Sequence, residues 1–180
     1  MRVIAGVARG QPLVAPRDRG TRPITDRVKE TLFAILGERV PDARVLDLYA
    51  GSGAIGIEAL SRGAAHATFV EHARPALIAV RTNLERTHLG DLATVEPMDV
   101  ERFLGAPSGG PWDLAFLDPP YELRAIVAPL RAVEPLLAPD AMVVVKHFWR
   151  TEMPDVAGLQ PVRQRRFGET MLSFLEAPGR

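Results

Sequence analysis

One stretch of 17 residues, 44–60, constrains the fold of this chain more than any other feature. It reads RVLDLYAGSGAIGIEAL: a short apolar run, a glycine-rich turn, and a segment with apolar residues at helical spacing. The pattern predicts a buried strand, a tight turn and an amphipathic helix. Such a unit usually opens an α/β sheet that binds a nucleotide-type cofactor.

The glycines of this turn leave two classes of cofactor open. Gly51, Gly53 and Gly56 have the G-x-G-x-x-G spacing of a dinucleotide-binding loop. However, Asp47 lies four residues before the first glycine, where a carboxylate repels a pyrophosphate and can bind the ammonium, or a water, of an amino-acid moiety. Small residues let the loop backbone approach a ligand closely; they are Ala50, Gly51, Ser52 and Gly53.

A second predicted strand, 67–71, ends in Glu71, which stands 18 residues after Gly53. An acid at this position binds the hydroxyls of a ribose in NAD and in S-adenosylmethionine alike. Glu71 therefore indicates a ribose-containing cofactor and does not discriminate between the two.

A tetrapeptide after a later apolar run is typical of a site that methylates a flat amino group; it consists of Asp118, Pro119, Pro120 and Tyr121. This chemistry needs two acceptors converging on an exocyclic NH2, so that the nitrogen lone pair points at the methyl group. The Asp118 carboxylate and the Pro119 carbonyl supply them, and Tyr121 offers a ring on which a base stacks. The alternative is a strand end broken by a turn. Together with Asp47 and Glu71, the motif favours a methyltransferase.

The whole chain alternates predicted strands and helices. After an extended segment we expect a helix over about 26–39, then strands at 44–49, 67–71, 92–97, 112–118 and 140–148, with helices at 54–63, 74–88, 99–104 and 122–138. This alternation indicates a doubly wound, mostly parallel α/β sheet, and 159–167 with 170–176 predict an antiparallel hairpin at its edge. Ligands of such sheets sit at the carboxyl ends of the strands, where Asp47, Glu71, Asp99 and Asp118 fall.

Length and composition fit one compact enzyme. The 180 residues suffice for a single domain, in which we expect a basic N-terminal extension (1–25) and a catalytic core (26–180). The chain has no cysteine, which excludes disulfides and thiolate metal sites, and its four histidines share no metal-ligand spacing. No long apolar run or signal-peptide pattern occurs. We expect a cytoplasmic monomer that uses no metal and contacts no membrane.

Asn83 and the tryptophans have plain interpretations. Asn83, in the predicted helix 74–88, is expected to face solvent. Trp112 and Trp149 flank predicted strands and are more typical of core or rim positions than of stacking platforms.

Charge is unevenly distributed although the formal net charge is zero. Residues 1–30 hold Arg2, Arg9, Arg17, Arg19, Arg22, Arg27 and Lys29 against Asp18, Asp26 and Glu30. The C-terminal segment adds Arg150, Arg163, Arg165 and Arg166 against Glu152 and Asp155. Two basic ends favour a phosphate-bearing substrate, because neutralisation of phosphates dominates nucleic-acid affinity. The alternative is that the arginines are simply a solvated surface.

Several motifs point to one family. The N-terminal signature comprises 1–6 (MRVIAG), 9–10 (RG) and 21–30 (TRPITDRVKE); the cofactor loop is 46–53 (LDLYAGSG), the catalytic motif 118–121 (DPPY), and a hairpin motif 168–172 (GETML). From end to end these resemble the RsmD family of bacterial 16S ribosomal RNA guanine-N2 methyltransferases. Two positions depart from that family: Tyr49 stands where we expect phenylalanine, and Lys146-His147 where we expect an acid.

The resemblance implies a Rossmann-like class I methyltransferase that uses S-adenosylmethionine. It implies methylation of the exocyclic N2 of guanine 966 in 16S ribosomal RNA, free or within the small ribosomal subunit. Alternatives are a DNA or RNA adenine-N6 methyltransferase, a protein-glutamine methyltransferase and a non-catalytic RNA-binding module.

The resemblance also implies roles for individual residues. The residues that would contact the cofactor are Asp47, Ala50, Gly51, Ser52, Gly53, Glu71, Asp99, Val100 and Thr25. The residues that would contact the guanine are Asp118, Pro119, Pro120 and Tyr121. Thr25 and Arg22 would close over the cofactor or touch RNA. The basic N-terminal segment suggests RNA contacts by Arg2, Arg9, Arg17, Arg22 and Arg27.

Overall fold

The computed structural model describes residues 1–16, 24–119 and 124–179. The strands are β1 (Arg44–Leu48), β2 (His66–Val70), β3 (Ala93–Glu96), β4 (Trp112–Leu117), β5 (Leu137–Phe148), β6 (Gln160–Phe167) and β7 (Thr170–Glu176). The helices are α1 (Asp26–Leu36), α2 (Ala54–Ser61), α3 (Arg74–Thr87), α4 (Val100–Gly105) and α5 (Arg124–Val133). None of the helices in these ranges is long and apolar enough to cross a membrane.

The strands form one mixed sheet in the order β3-β2-β1-β4-β5-β7-β6. Strands β1 to β5 are parallel, β7 runs antiparallel to β5, and β6 runs antiparallel to β7. The predicted Rossmann-like doubly wound sheet with a C-terminal antiparallel hairpin is thereby confirmed. The five parallel strands all end at one edge of the sheet, which we call the carboxyl edge.

Helices cover both faces of the sheet, as the apolar character of the central strands requires. Side chains of α1, α2 and α3 pack on one face in a single buried cluster with alternate residues of the strands. Side chains of α4 and α5 pack on the other face in a second cluster. Neighbouring strand residues such as Val143 and Val144 therefore belong to opposite clusters, and both are buried.

The predicted helix 122–138 is wrong in its last part. Helix α5 ends at Val133, a 3-10 turn covers Glu134–Leu136, and β5 begins at Leu137. Pro135 explains the early end, because proline lacks an N–H and disfavours helical backbone at the residue before it. The helix predicted over 26–39 likewise ends at Leu36, since Gly37 has a positive φ of 50° and 37–39 form a 3-10 turn.

The described part of the N-terminal extension, residues 1–16, lies on the core as a narrow hairpin. A single β-bridge joins Arg2 to Pro12. Val3, Ala8 and Leu13 are buried in the cluster that contains α1 and α2. These side chains make the extension part of the folded unit.

A buried carboxylate attaches this hairpin to α2. Glu58 accepts hydrogen bonds from the backbone N–H of Ile4 at 2.8 Å and of Ala5 at 3.0 Å. It also accepts one from the Lys29 ammonium at 3.1 Å, and neither Lys29 nor Glu58 is exposed. The fully paired carboxylate thus satisfies backbone donors that would otherwise be buried without a partner.

Candidate active site

Four predicted site residues lie at the carboxyl edge of the sheet. Asp47 is within β1, one residue from its end, and Glu71 follows β2. Asp99 precedes α4 after β3, and Asp118 follows β4. The parallel arrangement therefore brings together acids that are up to 71 residues apart in sequence.

The glycine-rich turn between β1 and α2 needs glycine for two different reasons. Gly51 has a φ of 57°, and a Cβ built on it would meet nothing closer than the Tyr49 carbonyl oxygen at 4.0 Å, so the space beside it is open to a ligand. Gly56 is required by packing: a Cβ there would lie 2.3 Å from the Phe69 ring. Close contact of α2 with β2 thus depends on Gly56.

Asp47 lies behind this turn and caps α2. Its Oδ2 accepts a 3.0 Å hydrogen bond from the backbone N–H of Gly56, one of the helix donors that lacks a partner within the helix. A dinucleotide pyrophosphate would use the same helix terminus, and Asp47 places a carboxyl group there instead. The G-x-G-x-x-G spacing therefore does not make a pyrophosphate site in this chain.

The pKa of Asp47 is shifted by burial and by the neighbouring acids. Burial raises the pKa of Asp47 to about 8; the Gly56 hydrogen bond opposes the rise, and the charges of Asp118 and Glu71 add to it. Only 3% of Asp47 is exposed. The charges of Asp118 and Glu71 thus disfavour ionisation of Asp47, and a cationic ligand at this edge would favour it.

Glu71 anchors the turn to the end of β2. One carboxylate oxygen accepts from the Gly51 N–H at 2.9 Å, and the other accepts from the N–H groups of His72 and Ala73, each at 2.8 Å. A carboxylate has about four acceptor sites, so these bonds leave roughly one for a ribose hydroxyl. Glu71 therefore fixes the loop, and its contact with a ribose stays a prediction.

A cleft of about 470 Å³ extends from the turn towards α4. Its lining includes Tyr49, His72, Asp99 and Val100, of which the last two are the predicted adenine contacts. The Asp99 side chain is 73% exposed, and one of its oxygens lies 3.7 Å from His72 Nδ1. Burial, followed by the charges of Glu101 and Asp99, raises the pKa of Tyr49 to about 12, so its hydroxyl keeps its proton at neutral pH.

Asp118 is joined to the strand-end lysine that departed from the family pattern. The Lys146 ammonium donates a 2.6 Å hydrogen bond to Asp118 Oδ2, and Pro119 beside it is buried. Burial raises the pKa of Asp118, while the charge and hydrogen bond of Lys146 oppose the rise. The other two residues of the motif, Pro120 and Tyr121, lie outside the described residues.

The prediction that Asn83 faces solvent is wrong. Asn83 is completely buried, and it joins the N-terminal hairpin to the cofactor loop. Its Oδ1 accepts from the Val14 N–H at 2.7 Å, and its Nδ2 donates at 2.9 Å to both the Val14 and the Ser52 carbonyl oxygens. Sequence reasoning missed this role because the helical pattern alone does not show which segment packs on α3.

Thr25, predicted to touch cofactor or RNA, begins α1. It is exposed, and its hydroxyl accepts a 3.4 Å hydrogen bond from the Val28 N–H as an N-cap. Its contact with a ligand stays a prediction.

The five arginines predicted to bind RNA do not form one group. Arg17 and Arg22 lie outside the described residues. Arg2 pairs with Asp26 at 3.2 Å, and Arg27 is exposed on the same turn of α1. Because α1 ends near the start of β1, its first turn lies toward the carboxyl edge. Arg9 is at the other end, near the tip of a hairpin whose Val7 N–H donates to Ser61 at the end of α2.

Comparison with known proteins finds relatives over the whole chain. The family model described as Conserved hypothetical protein 95 matches residues 1–176. YlbH of Bacillus subtilis (strain 168) is 38% identical over 184 residues, covering 99% of this chain and 100% of that protein. Ribosomal RNA small subunit methyltransferase D of Escherichia coli (strain K12) is 39% identical over 158 residues, covering 87% of this chain and 79% of that protein. The solved structure of yhhF from Escherichia coli matches with a TM-score of 0.89 at 35% identity, covering 100% of this chain and 99% of that one.

Proposed function

The chain belongs to the RsmD family, whose model, Conserved hypothetical protein 95, spans residues 1–176, and we propose that it methylates the exocyclic N2 of a guanine in 16S ribosomal RNA with S-adenosylmethionine as donor. The Escherichia coli relative, named Ribosomal RNA small subunit methyltransferase D, supports the substrate class. The observation that carries the proposal is the meeting of Asp47, Glu71 and Asp118 at the carboxyl edge.

The charge of this edge fits the proposed donor. The charges of Asp118 and Glu71, which act on the buried Asp47, favour a cation at this edge and disfavour a pyrophosphate. S-adenosylmethionine, when bound, supplies a methyl group on a sulfonium, so that no metal and no separate leaving-group activation are needed. In this proposal Asp47 binds the amino-acid end of the donor and Glu71 binds the ribose. The cleft lined by Asp99 and Val100 holds the adenine.

The turn itself has room for this donor. The space beside Gly51 is open, and the Gly51 N–H is held in place by Glu71. Ala50, Ser52 and Gly53 complete the turn with small side chains, which lets a ligand approach the backbone.

Asp118 and Pro119 provide the acceptors for the target amino group. Lys146 engages Oδ2 of Asp118, which leaves Oδ1 to accept one N–H of the guanine amino group. The Pro119 carbonyl oxygen accepts the second N–H. With both protons held, the nitrogen lone pair is directed at the methyl carbon, and catalysis is then largely positioning.

The reaction needs no strong base in this site. As the new N–C bond forms, the methyl carbon leaves the sulfur with the bonding pair remaining on sulfur, and the methylated nitrogen then loses one proton to water. Asp118 therefore orients the amino group and stabilises its developing positive charge, and Lys146 favours the ionised form of Asp118 against the effect of burial.

The proposal is tested by the position of a transferred methyl group. The purified protein is incubated with S-adenosylmethionine labelled in its methyl group and, separately, with DNA, free ribosomal RNA, small-subunit particles and a protein fraction. We expect label in N2-methylguanine of the ribosomal RNA, either free or in particles. Label in N6-methyladenine or in protein, or no incorporation into any fraction, would overturn the proposed function.

A further inference from the structure

A second basic surface surrounds the edge strand β6 and the end of β5, with side chains on both sides of the sheet. We call it the C-terminal basic face; it consists of Trp149, Arg150, Arg163, Arg165 and Arg166. Strand β6 is the last strand of the sheet, and seven of its eight residues are exposed. It contains three arginines and no acid. We propose that this face binds the phosphate backbone of the RNA beside the target nucleotide, an inference that rests on the proposed function.

The sheet register connects this face to the catalytic motif. Lys146, which is bonded to Asp118, pairs with Leu172 of β7, and Leu172 pairs in turn with Arg165 of β6. Three strand spacings of about 4.8 Å place the Cα of Arg165 roughly 14 Å from that of Asp118. Laterally paired residues project from the same side of a sheet, so Lys146 and Arg165 lie on one side. Arg166, which pairs with Met171, projects from the other side. This separation fits a backbone that continues a few nucleotides beyond the target.

Trp149 orders two further guanidinium groups at the carboxyl edge. The Cζ of Arg166 lies 3.7 Å from the centre of the Trp149 ring, and the Cζ of Arg150 lies 4.7 Å from it. Arg166 Nε also donates a 2.8 Å hydrogen bond to the Gly168 carbonyl oxygen, which leaves its terminal nitrogens for a ligand. Guanidinium groups held in this way lose less entropy when they bind a phosphate than freely moving ones.

Protection of an exposed edge strand is the competing explanation for these arginines, since charged side chains prevent edge-to-edge aggregation. Protection of the edge requires only charged side chains. It requires neither guanidinium groups stacked on Trp149 nor an arginine in the same lateral row as Asp118. The ion pairs found within the described residues do not include Arg150, Arg163, Arg165 or Arg166. The position of Arg165 in the row of Asp118 and the guanidinium groups beside Trp149 therefore favour a phosphate-bearing partner.

Two double variants test the proposal. Arg163→Gln/Arg165→Gln removes two charges from the C-terminal basic face, and Arg81→Gln/Arg86→Gln removes two exposed charges from α3, which contacts β3 at the opposite edge of the sheet. The dissociation constant for protein-free ribosomal RNA is measured against salt concentration for each. We expect the β6 variant to bind more weakly and its salt slope to fall by about 1.5, while the α3 variant keeps the wild-type slope.

The outcomes separate this inference from the proposed function. If wild type methylates ribosomal RNA and the two double variants have equal salt slopes, the face does not bind RNA and the proposed function stands. If wild type methylates another substrate, the proposed function fails, whereas the salt slopes still report on the face. If the β6 variant binds protein-free RNA as tightly as wild type and loses affinity only for assembled small-subunit particles, the face contacts a protein partner. That result would overturn the inference.

A third variant tests the ordering by the indole ring. Trp149→Leu keeps every arginine, so we expect a several-fold weaker RNA affinity with a nearly unchanged salt slope. Thermal unfolding and S-adenosylmethionine affinity of the same variant control for misfolding. Wild-type RNA affinity in a folded Trp149→Leu protein would show that the ring does not prepare the guanidinium groups.

Discussion

The Lys146 ammonium lies 2.6 Å from Asp118 Oδ2, and this hydrogen bond joins the residue that follows β4 to the neighbouring strand β5. Burial favours the protonated form of Asp118, and Lys146 favours the ionised form. An acid at position 146, which the family pattern led us to expect, would instead raise the Asp118 pKa further. In this chain the lysine fixes one carboxylate oxygen and favours the ionised form of Asp118.

Replacing Lys146 should therefore alter the pH dependence of methyl transfer. The proposed mechanism uses ionised Asp118, so we expect activity to fall as the pH drops through the Asp118 pKa. Lys146→Met removes the group that lowers this pKa, and we expect the acid limb of the single-turnover rate to move to higher pH. Lys146→Arg, which retains the cation, should keep the limb near its wild-type position. A limb that stays in place or moves to lower pH in Lys146→Met would contradict the role of Lys146.

Asp47 should make the folded protein less stable as the pH rises. Its pKa is about 8 in the fold, well above the value of 3.8 for a free carboxyl, so the folded state binds more protons between these values. Stability contributed by Asp47 is then lost with rising pH across that window, at up to about 1.4 kcal/mol per unit. Asp47→Asn, whose amide oxygen can still accept from Gly56, should lack this dependence.

Chemical denaturation of both proteins at several pH values measures the effect. The difference in free energy of unfolding, variant minus wild type, should grow steadily from about pH 4 to about pH 8. A constant difference would show that the Asp47 pKa is not raised.

Loss of the Glu71 charge should weaken cofactor binding. Glu71→Gln loses the charged acceptor that holds the Gly51, His72 and Ala73 N–H groups and that is placed for the ribose. We expect S-adenosylmethionine affinity to fall by about 2–3 kcal/mol in calorimetry. Glu85→Gln, at an exposed position of α3, is the matched control. Equal affinities of the Glu71 and Glu85 variants would reject the cofactor assignment.

The sequence predicted the sheet because its signals are local. The parallel strands β1, β2, β4 and β5 contain short apolar runs, most turns carry glycine or proline, and the two-residue break at 168–169 marks the hairpin. The grouping of Glu71 and Asp118 was also predictable, since the carboxyl ends of parallel strands share one edge. Pro135 was a local signal for the end of α5, and the helical periodicity had concealed it.

Contacts between distant segments were not predictable in this way. Lys146 and Asp118 are 28 residues apart, and Asn83 and Val14 are 69 apart. A periodic pattern shows that a residue lies on a helix face, whereas the segment that covers that face is set by tertiary packing. For the same reason the cap that Asp47 gives to Gly56 was not foreseen.

Asn83 should contribute to the free energy of unfolding, although it is not among the proposed contacts of the guanine amino group. Asn83→Ala leaves the Val14 N–H and the Val14 and Ser52 carbonyl groups without their buried partner. We expect a loss of about 2–3 kcal/mol in the free energy of unfolding. Thr82→Ala, at the preceding position of α3, should change it much less. Wild-type stability of Asn83→Ala would mean that the hairpin is held without this side chain.

The central claim is that Asp118 aligns the amino group of a guanine in ribosomal RNA, and single-turnover methylation by Asp118→Ala tests it most directly. The lost hydrogen bond acts mainly in the transition state, so the rate should fall by about 100-fold to 1,000-fold while S-adenosylmethionine and RNA affinities change little. Asp91→Ala, an exposed carboxylate outside the site, should react at the wild-type rate. A near-normal rate for Asp118→Ala, with both ligands saturating, would contradict the claim.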